Sequence, residues 1–338
     1  MRNLSIFLLV LAMIAAACSE KRDVFHLEKG SLSYNLAKEI ATIFPSLDPE
    51  GTFILIKANK FRVTAGEAIH ETRLNMGLDE NQLKKLSAEN IKALIMESAY
   101  KIAERKILLY TAEKSGIIVS ETEIIDALNE QFEQTGGEEK FLELIKKNDL
   151  DIEYVKNDIW ENLMMERYSE EKIYVTIQIR EEEIRELYLR DKTATIRRIF
   201  LSTEGKEISE KREILDRADE ILRRAKEGES FAELAEKYSQ DLDSRENGGL
   251  FKDLGRGFLE KPLDEAAFTI TQGEMSDIIV TPAGYYIIKV IERKKESRPF
   301  EEVRHELEKG IRMRKQWEEY HSHVEILRQE FKLMFAKF

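Results

Sequence analysis

Residues 247–268 read NGGLFKDLGRGFLEKPLDEAAF, a glycine-dense loop running into a short apolar helix, in a chain with only 16 glycines among 338 residues. A loop of this kind can cradle a phosphate, line a peptide groove or simply make a turn. The phosphate reading fails on pattern: no Gly-Lys-Ser/Thr is present and no strand leads into the loop. Glycine here instead supplies positive φ and close backbone approach in a compact loop.

The segments around the loop give it a setting. ATIRRIFLS, residues 194–202, has the β-branched content of a strand. Ile208 to Lys226 is a long amphipathic helix with Ile214, Leu215, Ala218, Ile221, Leu222 and Ala225 inward, stopped by Gly228. Ser230-Phe231-Ala232-Glu233 forms a capping box that opens the next helix, FAELAEKYS. Beyond the loop and its helix, DIIVTPAGYYIIKVIERK at 277–294 reads as two strands around a Pro-Ala-Gly turn. Strand, helix, helix, loop, helix, strand, strand over about 100 residues make one small α+β domain.

The flanks differ in kind. Residues 20–51 are mixed, with one helix around Leu36–Ile43, and TFILIKANKFRVTAGE at 52–67 fits one or two short strands with a turn near Ala58-Asn59-Lys60. From Leu83 to Arg190 the pattern is helical, with Ile91, Leu94, Ile95, Ala99, Ile102 and Ala103 on one stripe. Gly116 and Gly136-Gly137 break it, while Ser120 to Glu123 and Asp151 offer caps for new helices. Phe300 to about Met334 forms a last charged helix with Val303, Leu307, Ile311, Trp317, Tyr320, Val324 and Leu327 at helical spacing. A helix with one apolar stripe must pack on something, and the upstream helical block is the expected partner. Trp160, Trp317 and Tyr320 are read as packing there. The α+β domain is then inserted between two parts of one helical module.

Composition sets the class. Hydrophobic residues are 42% and charged residues 35%, with a net charge of −12, which argues against a nucleic-acid binder. The single cysteine excludes a disulfide framework and a Cys-based zinc site. Its place is informative. MRNLSIFLLVLAMIAAACSE has one early arginine, an apolar run too short for a membrane span, and small residues ending at Cys18. Two readings follow: an ordinary signal cleaved near Ala17, or a bacterial lipobox in which Cys18 becomes the lipidated first residue. The second is preferred, because an otherwise Cys-free exported chain has little use for a lone thiol there. Either places the protein outside the cytoplasm, on the periplasmic side of the inner or outer membrane if the host is Gram-negative.

IRRIFL at 196–201, FAELAEKYSQD at 231–241, the GG…RG loop at 248–257, PLDEAAFTITQGEMS at 262–276 and TPAGYYIIKV at 281–290 together resemble the parvulin family of peptidyl-prolyl isomerases. The resemblance covers roughly residues 193–294, with separate motifs in the family's order and spacing. The flanking arrangement is similar to exported foldases of the SurA and PrsA type, with VSETEIIDAL at 119–128 and WENLMMER at 160–167 in the N-terminal module. The implied architecture is an α+β fold: a helical SurA-N-like chaperone module, N-terminal block plus C-terminal helix, with an inserted parvulin-like domain. Its divisions are a lipoprotein-type signal at 1–17, a mainly helical chaperone domain at 18–192, the parvulin-like domain at 193–294, and a C-terminal helix segment at 295–338.

Rotation about an X–Pro bond faces a barrier of about 18–20 kcal/mol from amide resonance. No covalent step is needed: an apolar pocket for the proline ring and electrostatic stabilisation of the twisted amide suffice. The resemblance implies that Phe251, Leu259, Leu263 and Thr281 form the pocket, that Phe268 supports the helix behind it, and that Asp241 is the polar position near the reacting amide. The family's two core histidines fall on Arg198 and Tyr286, which are carried as catalytic positions with Asp241. A Tyr286 hydroxyl could donate to Asp241, or Arg198 could neutralise it.

No cofactor, metal or nucleotide is expected. His321-Ser322-His323 reads as solvated surface, because residues two apart on a helix do not share a face. Asp241 and Asp243 are read as serving the loop and pocket. The implied partners are unfolded or nascent exported polypeptides with proline-containing, aromatic-rich segments, and a membrane through the lipid on Cys18. Two functions stand: an extracytoplasmic isomerase and foldase, or an ATP-independent holdase that keeps the parvulin fold for peptide binding. A lipoprotein that only scaffolds an envelope complex would show neither activity.

Overall fold

The computed structural model describes residues 25–77 and 80–338, so Cys18 and the signal segment lie outside the described residues. The chain divides into two compact units, one of residues up to Ile177 with Lys315–Phe338, the other Gln178–Arg314. The second is wider than the expected 193–294.

In the first unit α1 (Leu32–Ile43) precedes a hairpin of β1 (Ile54–Lys57) and β2 (Arg62–Thr64). Helices α2 (Ala65–Met76), α3 (Glu80–Leu83), α4 (Ala88–Lys114), α5 (Glu121–Thr135), α6 (Glu138–Lys147) and α7 (Ile152–Tyr168) follow. Their starts follow from side-chain caps. Ser87 and Asp151 each accept from a first-turn N–H, and Ser120 with Glu123 completes a full capping box. Helix α2 was absent from the sequence expectation, although Thr64 and Glu67 form the same box at its start. The N-terminal half of α4 buries Ile91, Ile95, Ala99, Ile102 and Ala103 against Leu36, Ile40, Leu55, Ile56 and Ile69.

The second unit opens with α8 (Glu181–Leu189) and continues with β3 (Asp191–Ser202), α9 (Ile208–Lys226), α10 (Phe231–Tyr238), β4 (Leu250–Gly255), α11 (Lys261–Thr269), β5 (Ile279–Thr281) and β6 (Gly284–Lys295). The strands form one antiparallel sheet in the order β4-β3-β6-β5. Strand β4 corrects the sequence reading, which took this stretch as loop. Leu250 and Phe251 pair with Arg197 and Ile196, a contact that no local pattern announces. The capping box expected at Ser230 is half formed: Ser230 accepts from the Glu233 N–H, and no return bond from the Glu233 side chain is present.

The period-2 alternation of β3 and β6 sorts their side chains between two cores. Ile199, Leu201, Tyr285 and Ile287 face α9 and α10, where Ala218, Ile221, Leu222, Phe231 and Leu234 cover them. Ala194, Ile196, Phe200, Tyr286, Ile288 and Val290 face the other way, against Leu263, Ala267 and Phe268 of α11.

Helix α12 (Phe300–Phe331) begins in the second unit and ends in the first. Its first turns join α8 through a Tyr188–Phe300 ring contact at 5.3 Å and an Arg304–Glu181 ion pair at 2.9 Å. Its last turns bury Val324, Leu327 and Phe331 among Ile107, Leu108, Met164 and Tyr168, where Trp160 and Tyr320 also pack. Two expectations fail on this helix. Trp317 is 62% exposed and stacks on His321 instead of joining the core. His323 is not solvated surface: its Nε2 lies 2.7 Å from the Tyr168 hydroxyl. The helix also stops at Phe331 rather than near Met334, because Lys332 turns left-handed (φ 53°) and β7 (Met334–Phe335) pairs with β1.

Candidate active site

The residues that matter share the α11 face of the sheet. Arg198 sits on β3 between Ile196 and Phe200, and Tyr286 lies across from Phe200 in the β3–β6 register. That register stacks the Phe200 and Tyr286 rings at 4.5 Å and 22°. The segment after α10 is docked on β3 through the Phe200 backbone: Gln240 N–H donates to the Phe200 carbonyl at 2.8 Å, and Phe200 N–H donates to Ser239 Oγ at 3.1 Å. Asp241 is thereby held beside Arg198.

Arg198 Nε donates to Asp241 Oδ2 at 2.7 Å, and Ser244 Oγ donates to the same oxygen. Asp243 N–H donates to Asp241 Oδ1 at 3.3 Å. Burial raises the Asp241 carboxyl, but the hydrogen bonds from Arg198 and Ser244 and the Arg198 charge outweigh it, and the group stays below its ordinary value. Burial pushes the Tyr286 phenol up. Of the two alternatives for Asp241, the structure takes the arginine. The Tyr286 hydroxyl makes no hydrogen bond among the described residues, and its ring serves as wall.

Phe251, Leu259, Leu263 and Phe268 belong to the same cluster as Tyr286 and Phe200, with Leu263 and Phe268 buried and Phe251 and Leu259 partly open. The Arg198 guanidinium carbon lies 4.2 Å from the centre of the Phe251 ring. Arg256 covers the Phe268 ring at 4.0 Å. Thr281 is buried, and its hydroxyl is engaged in the β5–β6 turn, accepting from Gly284 N–H at 3.3 Å and donating to the Gly284 carbonyl at 3.2 Å. Arg293 donates to the Phe268 and Ile270 carbonyls at 2.6 Å each, satisfying the C-terminal end of α11.

The glycine pair of the opening stretch supplies the positive φ and close backbone approach expected of it, and does so against β3. Gly248 and Gly249 have φ of +70° and +76°, and a Cβ on Gly249 would meet the Arg198 carbonyl oxygen at 2.3 Å. They bring the loop against β3 and the Ala232 and Ala235 side chains of α10. Gly249 also accepts from Arg198 N–H at 2.8 Å. So the pair fixes the backbone from which Arg198 projects.

Sequence reasoning missed Ser244 and Phe200. The Asp241-x-x-Ser244 spacing is the signal of a local turn that could have found the first. The strand period linking 198 and 200 could have found the second.

A family model described as the PPIC-type PPIase domain matches residues 180–294. Foldase protein PrsA 3 of Bacillus cereus is 43% identical over 94 residues, which is 28% of this chain and 33% of that protein. Foldase protein PrsA of Oceanobacillus iheyensis is 28% identical over 238 residues, 68% of this chain and 69% of that one. The chain thus spans about one third of the length of the first relative and about two thirds of the second. Among solved structures, a peptidylprolyl isomerase (PrsA) from Bacillus anthracis shares 22% identity, with 70% of this chain and 99% of that chain covered and a TM-score of 0.47, a likeness too loose to place residues. Motif order and the family match agree that residues 180–294 are similar to the PPIC-type, or parvulin, peptidyl-prolyl isomerase domain, in a chain similar to the PrsA foldases.

Proposed function

We propose that this protein is an extracytoplasmic foldase that catalyses cis–trans isomerisation of X–Pro bonds in unfolded exported polypeptides. One observation carries the reading: within the matched domain, the apolar cluster of Phe251, Leu259, Leu263 and Phe268, with Phe251 and Leu259 partly open, adjoins a buried Asp241 paired with Arg198. The groove would take the proline ring by apolar burial. The paired charges would give the reacting amide a fixed polar wall that needs no reorganisation as the bond twists. Thr281, with its hydroxyl engaged, would contribute its position to the groove edge and not a hydrogen bond to the client.

Exposed apolar side chains flank these residues in the chain. Phe258, 71% exposed, precedes Leu259, and Leu242, 79% exposed, follows Asp241. They suit contact with aromatic-rich segments next to the proline. Among the described residues no helix is long and apolar enough to cross a membrane. Anchoring is assigned to a lipid on Cys18, as the AAAC motif suggests.

The test is isomerisation of a proline peptide by NMR exchange or a protease-coupled assay, with the wild type beside Asp241→Ala. A catalysed rate that falls in the variant is expected. Suppression of client aggregation with no isomerase rate would replace this reading by the holdase.

A further inference from the structure

Beside the apolar cluster of Phe251, Leu263 and Phe268 lies a guanidinium with unused donors. Arg198 spends only Nε on Asp241, and its side chain is 18% exposed. Neither Nη group has a protein partner among the described residues. The guanidinium cannot swing freely, since Asp241 fixes one edge and the Phe251 ring lies against it at 4.2 Å. Asp241 is in turn held by Ser244 and the Asp243 N–H. A planar fork held on one edge directs its remaining N–H groups along set lines.

The chemistry of the twisting amide says what such donors can do. In the planar amide the nitrogen lone pair is delocalised and the carbonyl oxygen is the acceptor. At the perpendicular geometry resonance is lost, the nitrogen becomes pyramidal, and its lone pair accepts. A donor aimed at nitrogen therefore binds the transition state better than the ground state, which is the condition for catalysis.

We propose that Arg198 is a catalytic residue of this site, donating an Nη–H hydrogen bond to the prolyl nitrogen as the X–Pro amide twists, with Asp241 as its positioning residue. This rests on the isomerase reading above and adds the donor. No covalent bond to the protein forms and no proton is transferred. Because an arginine holds its charge across the physiological range, the donor is present at every pH where the fold is intact. A histidine at the same place would alternate between donor states.

The experiment is kcat/KM for a proline peptide by NMR exchange from pH 5.5 to 8.5, with peptide Kd and thermal midpoint measured for each protein. For wild type, a profile flat within about twofold is expected. For Arg198→Met, a loss of about 10- to 100-fold in kcat/KM with nearly unchanged Kd is expected. Arg198→Lys, which keeps a cation beside Asp241 but has no second edge to offer, should lose nearly as much. Arg198→His should acquire an inflection near the imidazole value of about 6.5. Wild-type rate in Arg198→Met or Arg198→Lys would overturn the assignment of Arg198 while leaving the isomerase reading in place. Absence of any wild-type rate above background would overturn both.

Discussion

Each unit of this protein holds a half-buried arginine against acidic side chains, three in one unit and one in the other, and the two are finished differently. In the helical unit Arg105 of α4 turns Nη2 to Glu71 at 2.8 Å, Nε to Glu161 at 3.5 Å and Nη1 to Asp158 at 4.0 Å. Every nitrogen faces a carboxylate from α2 or α7, so the group ties three helices together. In the parvulin-like unit Arg198 meets Asp241 through Nε alone. Two similar charges in similar burial thus have different meanings: a closed network reads as structure, and an open one beside an apolar groove reads as a site.

The sharpest way to break the contrast is Gly249→Ala. The new Cβ would press on the Arg198 carbonyl at a positive-φ position, costing about 2–6 kcal/mol of stability from backbone strain and overpacking together. Urea melts of the variant should show it, with the isomerase rate lost in parallel. Next comes Arg105→Ala, which takes the cation away from partly buried Glu71 and Glu161 and should cost about 2–4 kcal/mol. Here the rate at temperatures where the protein stays folded should hardly change, and a large fall in kcat/KM would erase the distinction between strut and site.

Acid separates the units on a finer scale. His70 of α2 has Nδ1 2.9 Å from Ser33 Oγ, packs on the Phe25 and Tyr154 rings, and has a buried Nε2 with no partner. Burial, and then the neighbouring Arg73 charge, push its pKa below 6.5 against a smaller opposing pull from Glu71. The unfolded chain then takes up the proton first, so stability is lost as pH falls below about 6.5 toward the folded value. Asp241 also has a depressed pKa, but its ordinary value is 3.8, so its contribution persists until pH falls through and below that value. Hydrogen exchange followed from pH 7 to 3 should therefore show the helical unit loosening before the parvulin-like unit, and His70→Phe should remove the earlier phase. The smallest effect is expected from Ser244→Ala. Losing its bond to Asp241 should cost about 1.5 kcal/mol and move the acid limb of the parvulin-like unit upward in pH.

Much of this was legible in the chain. The 3.6-residue stripe of α9, the limits of β5 and β6 about Pro282-Ala283, and the Ser120 and Asp151 caps are local patterns, and local patterns determine helices and turns. The misses share a cause. Strand β4 exists because β3 offers it an edge, and Trp317 is exposed because the inward turns of α12 are filled by other side chains. His323 finds Tyr168 at a distance of 155 residues along the sequence. None of these is written in a window of neighbouring residues. Helix α2 is a different kind of miss, since its Thr64–Glu67 box was present to be read.

By itself the sequence determined the parvulin-like order of motifs, and that resemblance named the expected pocket residues and Arg198 and Tyr286 as the replacements of two family histidines. Only the tertiary structure decided what those replacements do. Tyr286 becomes wall because strand register places it on Phe200, and Arg198 becomes the partner of Asp241 because the segment after α10 docks on the Phe200 backbone. Hydrogen-bond partners across a sheet are set by register and docking, which depend on contacts far apart in the chain, so residue identity names the donors and the fold alone aims them.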